Sequence, residues 1–163
     1  MEQNINAKIA FVGFGEVNTP ADIIIRKCKA AAESLEKAGL DLISVYPVTD
    51  DYEENDVKKA IAALENQSFD VLIVCIAGWI PTHAVVKITE HFRHKPMVLW
   101  GLCGWVEGDR TVTTADQAGT TAIRKTFYDL GYDFKYVYDI IGLPSNTKKV
   151  KNYCTAAMAA AKL

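Results

Sequence analysis

Strand-sized apolar runs alternate with stretches of helical period along this chain, and that alternation leaves few folds open. Lys8-Ile-Ala-Phe-Val-Gly-Phe14 reads as the first strand, and its near-continuous apolar character suits a central strand covered on both faces. Thr19 is placed to cap a helix with Pro20 at its first position. Ile24, Cys28, Ala31, Leu35 and Ala38 then form one apolar stripe, and Gly39 supplies a left-handed stop. The unit repeats. Leu40–Tyr46 reads as a second strand ended by Pro47, and the acidic run Asp50–Glu54 favours the start of a helix carrying Val57, Ile61 and Leu64.

Asp70–Ala77 holds the most apolar run, Val-Leu-Ile-Val-Cys-Ile, as a third strand. Thr82 is placed to cap a third helix that carries Val85, Val86, Ile88 and Phe92. Pro96–Trp100 reads as a short fourth strand, and Gly101–Thr114 as a Gly-rich loop. A helix with Ile123, Phe127 and Leu130 stops at Gly131, Phe134–Tyr138 is a fifth strand, and Asn146–Lys162 is a last helix. The expectation is α/β: a three-layer α/β/α sandwich on a five-stranded parallel sheet, with right-handed crossovers giving the flavodoxin-like order 2-1-3-4-5. The 163 residues fit a single Rossmann-like domain over 1–163, and half of them are hydrophobic, enough for a full core.

In such a sheet ligands bind beyond the carboxyl ends of the strands, where strand order reverses. The loops to inspect are Gly13–Asn18 and Ala77–Thr82, with Gly101–Arg110 beside them. The first begins G-x-G, but Asn18 stands where a dinucleotide fingerprint has its third glycine, and no carboxylate ends the second strand. Glycines serving a tight turn are the preferred reading. No G-x-x-x-x-G-K-[ST] stretch or G-x-S-x-G elbow is present, and Cys75-Ile76-Ala77 stands where a phosphorelay receiver needs Asp.

His91 and His94 are three apart and share a helical face, but a two-histidine metal site needs a third ligand from elsewhere, so solvated histidines are preferred. Cys28, Cys75, Cys103 and Cys154 form no C-x-x-C pair, which excludes a zinc knuckle or redox dithiol. Free thiols read as a reducing, cytoplasmic compartment. A formal charge of -2 gives no footprint for nucleic acid or anionic lipid, and no apolar run is long enough to span a bilayer. Trp79 and Trp105 fall in strand-tip loops, where indoles stack on the C–H faces of sugars or pack as lids on the core edge. Gly15 and Gly78 are expected to keep the crevice between their loops open, with Glu16 there to accept from a sugar hydroxyl. Trp100, inside a strand, reads as core.

Pro96-Met-Val-Leu-Trp-Gly101, the third strand ending Cys75-Ile-Ala-Gly-Trp79, and Leu130-Gly-Tyr-Asp-Phe-Lys-Tyr-Val-Tyr138 with a closing Ala-rich helix resemble the N-terminal domain of the L-fucose and L-arabinose isomerases. The resemblance implies an aldose–ketose isomerase whose divalent metal, usually manganese (Mn2+), is held by Glu, Asp and His of domains further along the chain. The N-terminal domain would then carry no catalytic or metal residue. It would contribute homo-oligomer contacts and the sugar-recognition loops with Gly15, Glu16, Gly78, Trp79 and Trp105, and be inactive without the remaining isomerase domains. Two departures stand out. Glu16-Val-Asn18 replaces an Arg-containing stretch, and Thr113–Gly119 replaces a Ser-Leu-x-Gly segment. A stand-alone small-molecule or regulatory binding domain is the alternative reading, and a flavodoxin-like redox protein a third.

Overall fold

The computed structural model describes residues 7–113 and 115–163. In chain order the elements are β1 (Lys8–Phe14), α1 (Ala21–Lys37), β2 (Asp41–Val48), α2 (Asn55–Glu65), β3 (Val71–Ile76), α3 (Thr82–Thr89), β4 (Met97–Glu107), β5 (Arg110–Thr113), α4 (Ala115–Asp129), β6 (Phe134–Ile141) and α5 (Thr147–Ala160). β1 is flanked by β2 and β3, β3 pairs with β4, and β4 pairs with β6, all in parallel. β3 therefore lies beside β1, as in the expected order 2-1-3-4-5.

The all-parallel, five-stranded expectation needs correction. The sheet has six strands and is mixed, because β5 pairs antiparallel with the far end of β4. What read as a Gly-rich loop is a hairpin. β4 runs on through Glu107, and Gly108-Asp109 turns the chain back, with Glu107 opposite Arg110. Gly108 sits at φ +62, the sign that tight hairpin turns demand. Gly104 permits the close pairing, since a Cβ there would lie 2.2 Å from the Val112 carbonyl oxygen. Thr114 lies outside the described residues.

Two apolar layers sandwich the sheet. On one face Val57, Ala60 and Leu64 of α2, Val85 and Ile88 of α3, and Ile123 and Phe127 of α4 pack on Leu72, Val74 and Leu99. On the other, Ile24, Cys28 and Leu35 of α1 and Val150, Cys154 and Met158 of α5 cover Phe11, Ile73 and Trp100. The stripes read from the sequence are thus the buried or half-buried faces, except that Leu130 is exposed beyond the end of its helix. All four cysteines are free and buried. Burial pushes the thiol of Cys154 up to about 12.

The helix starts differ in detail from expectation. Pro20 and Pro81 occupy the capping positions of α1 and α3, and neither Thr19 nor Thr82 makes a side-chain cap. α3 stops at Thr89, and a 3-10 turn over Glu90–Phe92 follows, so His91 and His94 do not share a helix face. β2 continues through Pro47, whose peptide bond with Tyr46 is cis. The outer edge of β6 is partly covered by the chain that follows it. The amide of Leu143 donates to the Ile140 carbonyl and the Asn146 side chain to that of Tyr138. Among the described residues no helix is long and apolar enough to cross a membrane.

Candidate functional site at the carboxyl rim of the sheet

The loops after β1 and β3 meet, but in close packing. The amides of Ala77 and Gly78 both donate to the Phe14 carbonyl, at 2.9 and 3.2 Å. Gly15 and Gly78 are buried, and a Cβ on Gly78 would sit 3.4 Å from the Gly15 Cα. A Cβ on Gly15 would strike Ile24. Here the glycines bring two backbones together rather than leaving a gap. Glu16 is half-buried at the outer end of this contact, and its carbonyl accepts from the Thr19 amide. The loop is pinned further by the Val17 amide, which donates to Asp50 at 2.8 Å.

Trp79 is half-buried just beyond β3, its ring edge lying 3.3 Å from where a Gly119 Cβ would stand. That contact docks the Trp79 loop on the first turns of α4. Trp105, also half-buried, comes from the hairpin extension of β4. Beside Trp105 lies a charged pair absent from the sequence expectations. Lys27 Nζ donates to the Ala77 carbonyl at 2.9 Å and to Asp116 Oδ2 at 3.2 Å, and stands 5.8 Å from the Trp105 ring centroid. Both side chains are largely buried, at 14% and 11% exposure. Lys27 reaches from α1 across the tip of β3 to the start of α4, tying the two helix layers together over the rim.

A second polar centre lies one strand further on. Trp100 Nε1 donates to Asp139 Oδ2 at 2.6 Å, and Asp139 Oδ1 accepts from the backbone and side-chain nitrogens of Asn146 at 2.8 and 3.0 Å. Asp139 is 8% exposed and Trp100 1%. Between α1 and the 142–145 loop, above these two residues, opens a cavity of about 220 Å³ bordered by both Lys27 and Asp139. Its walls are mainly aliphatic, with Ala30, Ala31, Leu102 and Ile141 among them.

The structure therefore brings Gly15 and Gly78 into contact and sets Trp105 beside Lys27, while Lys27, Asp116 and Asp139 were missed. One signal was legible: Lys27 and Ser34 interrupt the edge of an otherwise apolar helical stripe. No group of three or more His, Cys, Asp or Glu side chains converges to hold a metal among the described residues. No protein-family model matches this chain, and no curated protein matches it in sequence.

Proposed function

We propose that this chain is the N-terminal recognition domain of an aldose–ketose sugar isomerase, working in the cytoplasm and holding a neutral sugar over the carboxyl rim of its sheet. The observation that carries the reading is the grouping of Trp105, Lys27 and Asp116 at that rim, with Trp79 docked one turn along α4. An indole offers a flat apolar face to sugar C–H groups, and a fixed ammonium–carboxylate pair offers a donor and acceptors to hydroxyls. The Pro96-x-x-Leu-Trp-Gly101 motif of the isomerases falls at the start of β4, the strand that delivers Trp105.

The role is binding and orientation. The manganese that such isomerases use supplies the Lewis acid for proton transfer, and the described residues offer it no ligand set. It would be held by other domains, as would the groups that move protons, while homo-oligomer contacts would bring the rim to a neighbouring active site. A stand-alone binding domain is the second reading.

The deciding experiment titrates neutral aldopentoses and aldohexoses into the purified chain while following tryptophan fluorescence, and assays ketose formation with manganese. Binding without ketose formation is expected, weakened by Trp105→Ala. Two results overturn the proposal: no response to any aldose, or manganese-dependent ketose formation by this chain alone.

A further inference from the structure

Where the sugar sits is a separate question from whether one binds, and the contact between Gly15 and Gly78 leaves little space at the point of strand reversal. We infer that the ligand's seat is the cavity between α1 and the 142–145 loop, with Lys27 and Asp139 as its hydroxyl-binding pair; this rests on the sugar-recognition reading above.

The two charged groups that border the cavity narrow the ligand class. An ammonium has three N–H donors, and the Ala77 carbonyl and Asp116 engage two of those of Lys27, leaving one. Asp139 accepts from Trp100 and twice from Asn146, so of about four lone-pair sites on a carboxylate one stays open. One wall thus offers a donor and another an acceptor. Hydroxyl groups fill both roles, whereas an ammonium has no lone pair for Lys27 and a fully ionised carboxylate or phosphate group has no proton for Asp139.

Charge points the same way. The positive charge of Lys27 is matched by Asp116, whereas the contacts to Asp139 come from the neutral indole and amide groups of Trp100 and Asn146. The Asp139 carboxylate is thus bonded by neutral groups and borders the seat as a negative charge, which disfavours a phosphorylated sugar in a partly desolvated site. Beside these polar groups, Ala30, Ala31 and Leu102 give the cavity an aliphatic lining against which a C–H face can lie. The volume, about 220 Å³, falls below the range of about 300–1,000 Å³ common for drug-sized ligands, so the occupant is on the scale of one monosaccharide.

The mouth carries a matching signal. Ile141 and Leu143 border the cavity and are 41% and 50% exposed, so a bound ligand would shield apolar surface that otherwise faces water.

Three tryptophans make the test specific, because each indole N–H gives its own proton–nitrogen NMR signal, assignable with single Trp→Phe variants. The probes are neutral aldopentoses and aldohexoses, with glucose 6-phosphate set against glucose and ribose 5-phosphate against ribose. A neutral aldose should move the Trp100 indole signal, and its phosphate should bind at least tenfold more weakly. Ala30→Leu, at an exposed helical position on the cavity wall, should weaken binding at least tenfold while leaving the remaining spectrum in place.

If a sugar moves the Trp79 or Trp105 signal and leaves Trp100 still, the seat assignment falls and the sugar-recognition reading survives. Binding undiminished by Ala30→Leu also removes the seat. Equal affinity for the phosphorylated sugar removes the neutral-ligand assignment. If no aldose moves any indole, the reading and the seat fall together.

Discussion

Trp100 of β4 and Asp139 of β6 are joined by a 2.6 Å hydrogen bond between neighbouring parallel strands, with both residues buried. The bond fixes the carboxylate at the foot of the cavity and links the strand pair to the start of α5 through Asn146. A buried carboxylate that loses a donor keeps its desolvation cost without that compensation. Trp100→Phe retains much of the aromatic volume and removes the donor. It is expected to cost about 2 kcal/mol, read as a lower midpoint in chemical denaturation. A cost of a few tenths would mean that Asp139 finds water or another donor there.

The hairpin makes a paired prediction about two glycines. At Gly104 a side chain would meet the backbone of the facing strand, so Gly104→Ala should open the β4–β5 pairing and cost about 1–3 kcal/mol through overpacking. At Gly108 there is open space, and only the positive φ is demanding. Gly108→Asn should therefore be nearly neutral, because Asn tolerates that region, while Gly108→Val should destabilise. Thermal melts of the three variants check the order.

This hairpin also shows why part of the fold was hard to read from the sequence. Gly108-Asp109 between Val106-Glu107 and Arg110-Thr-Val-Thr113 is a turn signal flanked by β-forming residues, but Gly101 and Gly104 made the stretch look like loop. β1, by contrast, was legible to the residue, because an uninterrupted apolar run between Lys8 and the Gly15 turn has one reading. The stripe of α1 was legible for the same local reason. The rim cluster was not. Lys27 and Asp116 are 89 residues apart, and Trp100 and Asp139 are 39 apart. Their pairing is set by which strands become neighbours, and no local period encodes it. The glycines illustrate the converse. Gly15 and Gly78 were correctly read as rim positions, but whether a glycine opens a crevice or lets two backbones touch depends on the neighbouring strand.

Trp79 packs on α4 while staying half-exposed, so its truncation should hurt stability less than that of a core aromatic. Full burial would put Trp→Ala in the range of about 3–5 kcal/mol, and half-burial lowers the expectation to about 2 kcal/mol. A larger loss in urea denaturation would make Trp79 a core residue and weaken its candidacy as a stacking platform.

The pair of Lys27 and Asp116 is buried enough for removal of one member to matter. Lys27→Met removes the ammonium that is bonded to Asp116 and is expected to cost about 3 kcal/mol. Asp116→Asn in the same chain should recover part of that loss, giving a coupling of about 1–3 kcal/mol in a double-mutant cycle. Strict additivity would show that the two side chains do not sense each other, and would detach α1 from α4 at the rim.

Asp51 supplies the pH-dependent contact at the start of α2. Its carboxylate accepts from the amides of Asn55 at 2.8 Å and Asp56 at 3.1 Å, and these two bonds, Asn55 first, hold its carboxyl below the ordinary carboxylate value. A depressed folded-state value means that the unfolded chain takes up the proton first as pH falls. The stabilising contribution is therefore fully present above the unfolded value of about 3.9 and is lost as pH drops through the lower folded value. Asp51→Ala removes both the caps and this titration. Its melting temperature should lie below that of the parent chain at neutral pH, and the gap should narrow steadily once the pH goes below about 4. A gap that stays constant across that acid range would show that the carboxylate's charge contributes nothing to holding the helix start, and that only its shape matters.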